Sequence, residues 1–180
     1  MERSFVAVDP SRIFKPINIA VLTVSDTRTA ADDTSGDILA ERVQAAGHRL
    51  AARTIVRDDP DLIASQLNAW IDDAAIDAVI STGGTGLTGR DVTPEALDRV
   101  KTRDIPGFGE LFRWLSFQSI GTSTIQSRAC AVVARGTYIF ALPGSNGAVK
   151  DGWDGILAEQ LDSRNRPCNF IELMPRLREA

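Results

Sequence analysis

Apolar residues fall along this chain in short blocks separated by polar stretches bearing glycine and proline. Residues 17–24 (I-N-I-A-V-L-T-V) are apolar nearly throughout, which predicts a strand buried on both faces of a sheet. The next block has helical spacing. Thr34 reads as its cap with Asp37 three residues on as capping-box partner, Ile38, Leu39 and Val43 form the buried stripe, and Gly47 ends it. Residues 49–56 alternate over half their length and predict a strand nearer an edge. Pro60 opens a second helix, with Leu62, Ile63, Leu67, Trp70 and Ile71 as its apolar face. Residues 76–80 have the length and β-branched content of a third buried strand. This βαβαβ order predicts an α/β fold of three layers, a mainly parallel central sheet with helices on both faces.

The second half continues the pattern less regularly. Thr93-Pro94-Glu95 starts a short helix, with a capping hydroxyl, proline at the first helical position and an acid in the first turn. Pro106-Gly107 interrupts it. Residues 108–120 (F-G-E-L-F-R-W-L-S-F-Q-S-I) put Phe108, Leu111, Phe112 and Leu115 at helical spacing and add Trp114, Phe117 and Ile120 on other faces. A helix this apolar all round needs more cover than one sheet face provides, and a subunit interface is the expected cover. A polar Ser/Thr-rich loop (residues 121–126) leads to two further strands, residues 129–133 and 137–142, around Arg135-Gly136. A helix is expected from about residue 148 to 161. One domain over residues 17–170 is expected, between tails at 1–16 and 171–180.

Composition narrows the classes. At 180 residues, 43% hydrophobic and a net charge of −4, the chain suits one domain with a full core and carries no basic surplus for nucleic acid or for a membrane surface. Residues 1–16 lack the apolar core of a signal peptide, and no stretch approaches membrane-spanning length. Cys130 and Cys168 have no C-x-x-C spacing and read as two reduced thiols of a cytoplasmic protein. The single histidine, His48, follows a helix-ending glycine and reads as a loop residue.

The candidate chemistry lies where strands give way to loops, the place where open parallel sheets bind ligands. Residues 80–94 read I-S-T-G-G-T-G-L-T-G-R-D-V-T-P, with Gly83, Gly84, Gly86 and Gly89 interleaved with Thr82, Thr85 and Thr88. Glycine lets backbone N–H groups approach an anion, and the following helix adds its dipole. No Gly-Lys-Ser/Thr follows, so this is not a P-loop. Gly84, Gly86 and Gly89 satisfy G-x-G-x-x-G, but no strand-end acid stands where a dinucleotide site needs one; a glycine-rich turn without a ligand is the other reading. Ser25-Asp26-Thr27-Arg28 follows the first strand. Arg57-Asp58-Asp59-Pro60-Asp61 follows the second, where the carboxylates either hold Mg²⁺ or cap the next helix. Pro143-Gly144-Ser145-Asn146-Gly147 forms a second glycine loop, and two such loops suit a ligand with more than one phosphate.

Residues 81–86 (S-T-G-G-T-G), 90–95 (R-D-V-T-P-E), 106–110 (P-G-F-G-E), 142–145 (L-P-G-S) and 22–27 (L-T-V-S-D-T) together resemble the molybdopterin adenylyltransferase family of molybdenum-cofactor biosynthesis, the MogA/MoaB type. Residues 117–128 and 166–170 look closer to the MoaB branch. The resemblance implies a mixed α/β fold, a homotrimer or homohexamer, and transfer of AMP from ATP to the terminal phosphate of molybdopterin with release of pyrophosphate. By position it implies Asp58 and Asp91 as the catalytic, Mg²⁺-handling acids, with Asp59 as the rival for the first. It also implies Ser25, Asp26, Thr82, Gly83, Gly84, Thr85, Gly86, Pro143, Gly144 and Ser145 as contacts to substrate and nucleotide. Arg57 stands where the family often has proline, and Asn146 where some members have it. The lack of a placed base agrees with this chemistry, because a phosphate monoester with a second pKa of about 6 is already largely a dianion at neutral pH. The rival expectation is a molybdopterin-binding oligomer of the MoaB branch that does not turn over.

Overall fold

The computed structural model describes residues 7–179. The chain enters through a short strand, β1 (Ala7–Val8), and runs through β2 (Asn18–Val24), α1 (Thr34–Ala45), β3 (Arg49–Val56), α2 (Pro60–Ile71) and β4 (Ala78–Thr82). Past the glycine loop come α3 (Thr93–Val100), β5 (Arg103–Asp104), α4 (Pro106–Ile120) and a 3-10 turn, Gly121–Gln126. The hairpin of β6 (Cys130–Ala134) and β7 (Thr137–Leu142) leads to α5 (Asn146–Gly152), which continues through a π-type turn (Trp153–Leu157) into α6 (Ala158–Gln160). β8 (Asn165–Arg166) and α7 (Phe170–Leu173) follow.

Six strands form the central sheet in the order β3-β2-β4-β7-β6-β5. β3, β2, β4 and β7 are mutually parallel, while β6 runs antiparallel to β7 and β5 antiparallel to β6. β3 is an edge strand, as its half-alternating pattern predicts. Successive residues of a strand face opposite sides, so each buried strand feeds two cores. Ile19, Val21, Ile80, Tyr138 and Phe140 pack with Leu39 and Val43 of α1, Phe108 and Phe112 of α4, and Val149 and Trp153. Ala20, Leu22, Val79 and Ile139 pack with Ile63, Leu67 and Trp70 of α2 and Ala96 and Leu97 of α3. The result is the expected three layers.

Several local expectations are corrected. The cap of α1 is Asp33, whose Oδ1 accepts from Gly36 N at 3.1 Å, and Thr34 is the first helical residue. Asp37 closes no capping box; it pairs with Arg53 of β3. Leu62 faces outward from α2 and is exposed, while Ile63, Leu67, Trp70 and Ile71 are buried. At α3 the cap position is Val92, with no side-chain cap, because the Thr93 hydroxyl donates to Gly83 O at 2.9 Å instead. His48 lies in the loop between α1 and β3, as expected, but is buried there: its Nδ1 accepts from Ile17 N at 3.3 Å, and Phe14 lies against its ring. Burial holds its pKa below the ordinary value, consistent with a neutral, structural ring.

Arg135 and Gly136 both have positive φ (47° and 97°), the two-residue turn that suits a twisted hairpin. The described parts of both terminal segments lie against the domain. β1 pairs with β8, and the Tyr138 hydroxyl donates to Phe170 O at 3.0 Å. Both cysteines are free. No helix among the described residues is long and apolar enough to cross a membrane. On α4 the faces not used by the core leave Trp114 62%, Phe117 54% and Ile120 56% exposed.

Candidate functional site

The carboxyl ends of β2, β3, β4 and β7 bring four loops together. Gly83 continues the β4–β7 pairing, its N–H donating to Leu142 O at 2.9 Å. Its φ of +102° and the 2.2 Å that would separate a Cβ from Val24 O explain why only glycine fits. Gly144 packs so close that a Cβ there would lie 3.2 Å from the Gly83 Cα, and the Thr82 hydroxyl donates to Pro143 O at 3.2 Å. The two glycine loops are therefore one unit. Its other side is held from a distance. Arg128, just before β6, donates from its backbone to Thr85 O at 2.8 Å and from its side chain to Gly86 O at 2.7 Å and Asp91 O at 2.5 Å, and it pairs with Glu95.

Against this unit lies a cleft of about 400 Å³. The predicted residues Gly83, Gly84, Thr85, Gly86, Asp91, Pro143, Gly144 and Ser145 line one wall. Phe112, Ser116 and Ile120 of α4 and Ser123, Thr124 and Gln126 of the following turn form the other. That second wall and Arg128 were not assigned from sequence. The signals for the wall were the Ser/Thr richness of residues 121–126 and the helical spacing of residues 108–120, and Arg128 stood out only as the end of the 117–128 stretch that looks closer to the MoaB branch. Thr85 is 2% exposed, lines the cleft, and its hydroxyl has no hydrogen-bond partner. Buried hydroxyls are nearly always paired, so this one has hydrogen-bonding capacity to spare at the cleft wall.

The acids sit on both sides of the glycine loop. Asp91 Oδ2 accepts from Thr88 N at 2.9 Å and from the Thr88 hydroxyl at 2.7 Å. Asp91 is thus oriented within the loop and does not cap α3. Burial opposes its charge, but the Thr88 donors outweigh burial and keep the carboxyl below its ordinary range. Asp58 lies behind Gly84, its Oδ1 3.3 Å from where a Cβ on that glycine would stand. Burial, then the charges of Asp26 and Asp91, push its carboxyl above the ordinary 3.8. Asp59 is the cap of α2, accepting from Asp61 N at 2.8 Å and Leu62 N at 3.1 Å. Of the two neighbours, Asp58 is the one left over.

Asp26 joins the group, with Oδ1 accepting from Asp58 N at 3.2 Å and Oδ2 paired with Arg90. Ser25 and Ser145 spend their side chains locally: Ser25 Oγ accepts from Thr27 N and Arg28 N, and Ser145 caps α5. Thr82 is fully buried on Pro143 O, away from the cleft. Among the described residues no three acidic, histidine or cysteine side chains are grouped to enclose a metal ion. Two carboxylates flanking the glycine loop are nevertheless of the type that Mg²⁺ takes, since that ion keeps most of its ligands as water and substrate phosphate.

Comparison with known proteins identifies the family. A family model described as a probable molybdopterin binding domain matches residues 20–163. Molybdenum cofactor biosynthesis protein B of Escherichia coli K12 is 52% identical over 157 residues, covering 87% of this chain and 92% of that protein. The Bacillus subtilis protein of the same name is 42% identical over 146 residues, 81% of this chain and 86% of that one. Among solved structures, a molybdenum cofactor biosynthesis protein B superposes with a TM-score of 0.84 at 34% identity, over 94% of this chain and all (100%) of that one. The tungsten cofactor synthesizing protein MoaB of Pyrococcus furiosus gives 0.76 at 32% identity, over 92% and 99%. With the matched model spanning most of the domain, this chain belongs to the molybdenum-cofactor biosynthesis family, among its MoaB proteins.

Proposed function

We propose that this protein binds molybdopterin and transfers AMP to its terminal phosphate from ATP, releasing pyrophosphate. The observation that carries the reading is the pair Asp58 and Asp91 on either side of the glycine loop, next to the unpartnered Thr85 hydroxyl. A terminal phosphate oxygen of molybdopterin attacks the α-phosphorus of ATP. One P–O bond forms there as the α–β anhydride bond breaks, and the electron pair leaves with pyrophosphate. The nucleophile is already ionised at neutral pH and needs no base from the protein. The chain's part is position and charge. Gly83, Gly84 and Gly86 admit phosphate close to the backbone, and Thr85 offers its hydroxyl. The walls of α4 and residues 121–126 exclude water on the apolar side and offer hydroxyls and an amide to a polar heterocycle. Asp58 and Asp91 would hold Mg²⁺, which supplies charge neutralisation for the polyphosphate. The exposed Trp114, Phe117 and Ile120 fit an assembly of three or six copies, and a monomeric mass by light scattering at micromolar concentration would remove that part.

The reaction is tested by incubating the protein with molybdopterin, Mg²⁺ and ATP and assaying adenylylated product and pyrophosphate. Binding of molybdopterin without product would favour a non-catalytic MoaB-type binder. In Asp91→Asn the Thr88 bonds can persist while the charge is lost. We expect kcat to fall with molybdopterin affinity little changed. Unchanged turnover would return Asp91 to holding the loop.

A further inference from the structure

Arg90, the cation paired into the acid group, is left without work by the reading above. It stands in the glycine loop, next to Asp91, and its Nε and one terminal nitrogen both reach Asp26 Oδ2, at 2.9 and 2.5 Å. The other Asp26 oxygen accepts from Asp58 N. Arg90 therefore joins the glycine loop to the β2 loop, 64 residues away in sequence, across the acids that flank the site. The hydrogen bond and charge of Asp26, then the charges of Asp58 and Asp59, hold its guanidinium protonated more firmly than an ordinary arginine. Yet its side chain is 65% exposed. An exposed pair of this kind contributes little and opens readily.

We propose that Arg90 has two alternative partners: it neutralises Asp26 in the ligand-free chain and turns its guanidinium to the nucleotide's phosphates when a divalent cation comes to Asp58, beside Asp26. Two considerations lead there. A second cation drawn to Asp58 and Asp26 repels Arg90, so the two compete for one patch of negative charge. The guanidinium fork matches phosphate oxygens and is carried by the same loop that carries Thr85, whose buried hydroxyl awaits a partner. The proposal rests on the nucleotide reading of this site. It adds that Arg90 acts against the bare cation and for the nucleotide.

The opposed signs give the test. Mn²⁺ binding is measured by electron paramagnetic resonance without nucleotide, and binding of a non-hydrolysable ATP analogue is measured by calorimetry with Mg²⁺ at saturation. In Arg90→Gln, Mn²⁺ should bind about fivefold tighter, the factor one exposed ion pair can release. The analogue should bind about tenfold more weakly, as expected on losing one charge-assisted phosphate contact. Arg90→Lys keeps the charge and loses the fork, so Mn²⁺ affinity should stay near wild type while analogue binding falls by an intermediate factor. If both affinities fall together, or neither moves, Arg90 is only a clip between loops and the proposal is overturned. If the wild-type protein binds neither Mn²⁺ nor the analogue, the nucleotide reading fails first and this inference with it.

Discussion

At the junction between β2 and α1, Asp33 is fully buried and every direction is filled. Its carboxylate takes the Thr23 hydroxyl at 2.7 Å, the Gly36 amide at 3.1 Å and Arg53 at 2.8 Å. At the junction between β3 and α2, on the same end of the sheet, Asp58 is half-buried, crowded by Asp26 and Asp91, and pushed toward its protonated form. Burial works against both charges. Only at Asp33 do Arg53 and Thr23 overturn it and hold the carboxyl below its ordinary value. A fully satisfied buried acid is part of the scaffold. An acid left half-buried and short of partners contributes little to the scaffold, and strained electrostatics of this kind gather where function is.

The largest expected effect breaks the scaffold side of this comparison. Asp33→Ala leaves Arg53 with Asp37 alone and strips the α1 cap, and should cost about 3 kcal/mol in urea unfolding, with molybdopterin affinity near wild type in the folded fraction. A loss under about 1 kcal/mol would mean that the network is ornamental. Next comes Asp58→Asn, which should lower kcat on the order of 100-fold, the scale of one lost transition-state electrostatic contact. The melting temperature should hold or rise slightly, because a like-charge repulsion is removed. A variant that unfolds early would place Asp58 with Asp33.

Asp59→Ala sharpens the contrast between neighbours. Losing the α2 cap should cost about 1 kcal/mol of stability and leave turnover within about twofold; a collapse in turnover would make Asp59 the functional acid instead. The smallest effect is in pH. Asp33 has a folded-state pKa below 3.8, so its contribution is present above that value and is lost as pH falls through the folded pKa. The wild type should therefore lose stability on that acid limb, and Asp33→Asn should flatten it. Asp58, raised above 3.8, acts in the opposite sense: the folded state gains as pH falls through its raised pKa toward 3.8. Asp58→Asn should consequently steepen the decline, and identical acid limbs for the two variants would contradict the distinction.

Much of this molecule was written in local pattern. Apolar runs declared the buried strands, because a strand covered on both faces has no polar side to show. The half-alternating run of β3 declared an edge. Glycine had to stand at position 83, because its φ and the nearness of Val24 O exclude a Cβ, and so the loop was visible as a loop. The acids at 26, 58 and 91 stood where parallel sheets bind ligands.

What local pattern left open was the use of each polar group, since hydrogen-bond partners are chosen across the fold. Thr34 and Thr93 looked like caps. Asp33 took the first role because Thr23 and Arg53 orient it, and Thr93 was drawn to Gly83 O by the β4 loop. Asp58 and Asp59 were indistinguishable in sequence until the path into α2 turned one of them onto its amides. Arg128 reaches a loop 42 residues away. The far wall of the cleft depends on α4 and residues 121–126 folding back over the glycine loops. The sequence by itself determined where polar chemistry would collect, because burial is dictated by side-chain character. Tertiary structure alone decided which acid is fully paired and which is left short of partners, because partner satisfaction depends on segments that only the folded sheet brings together.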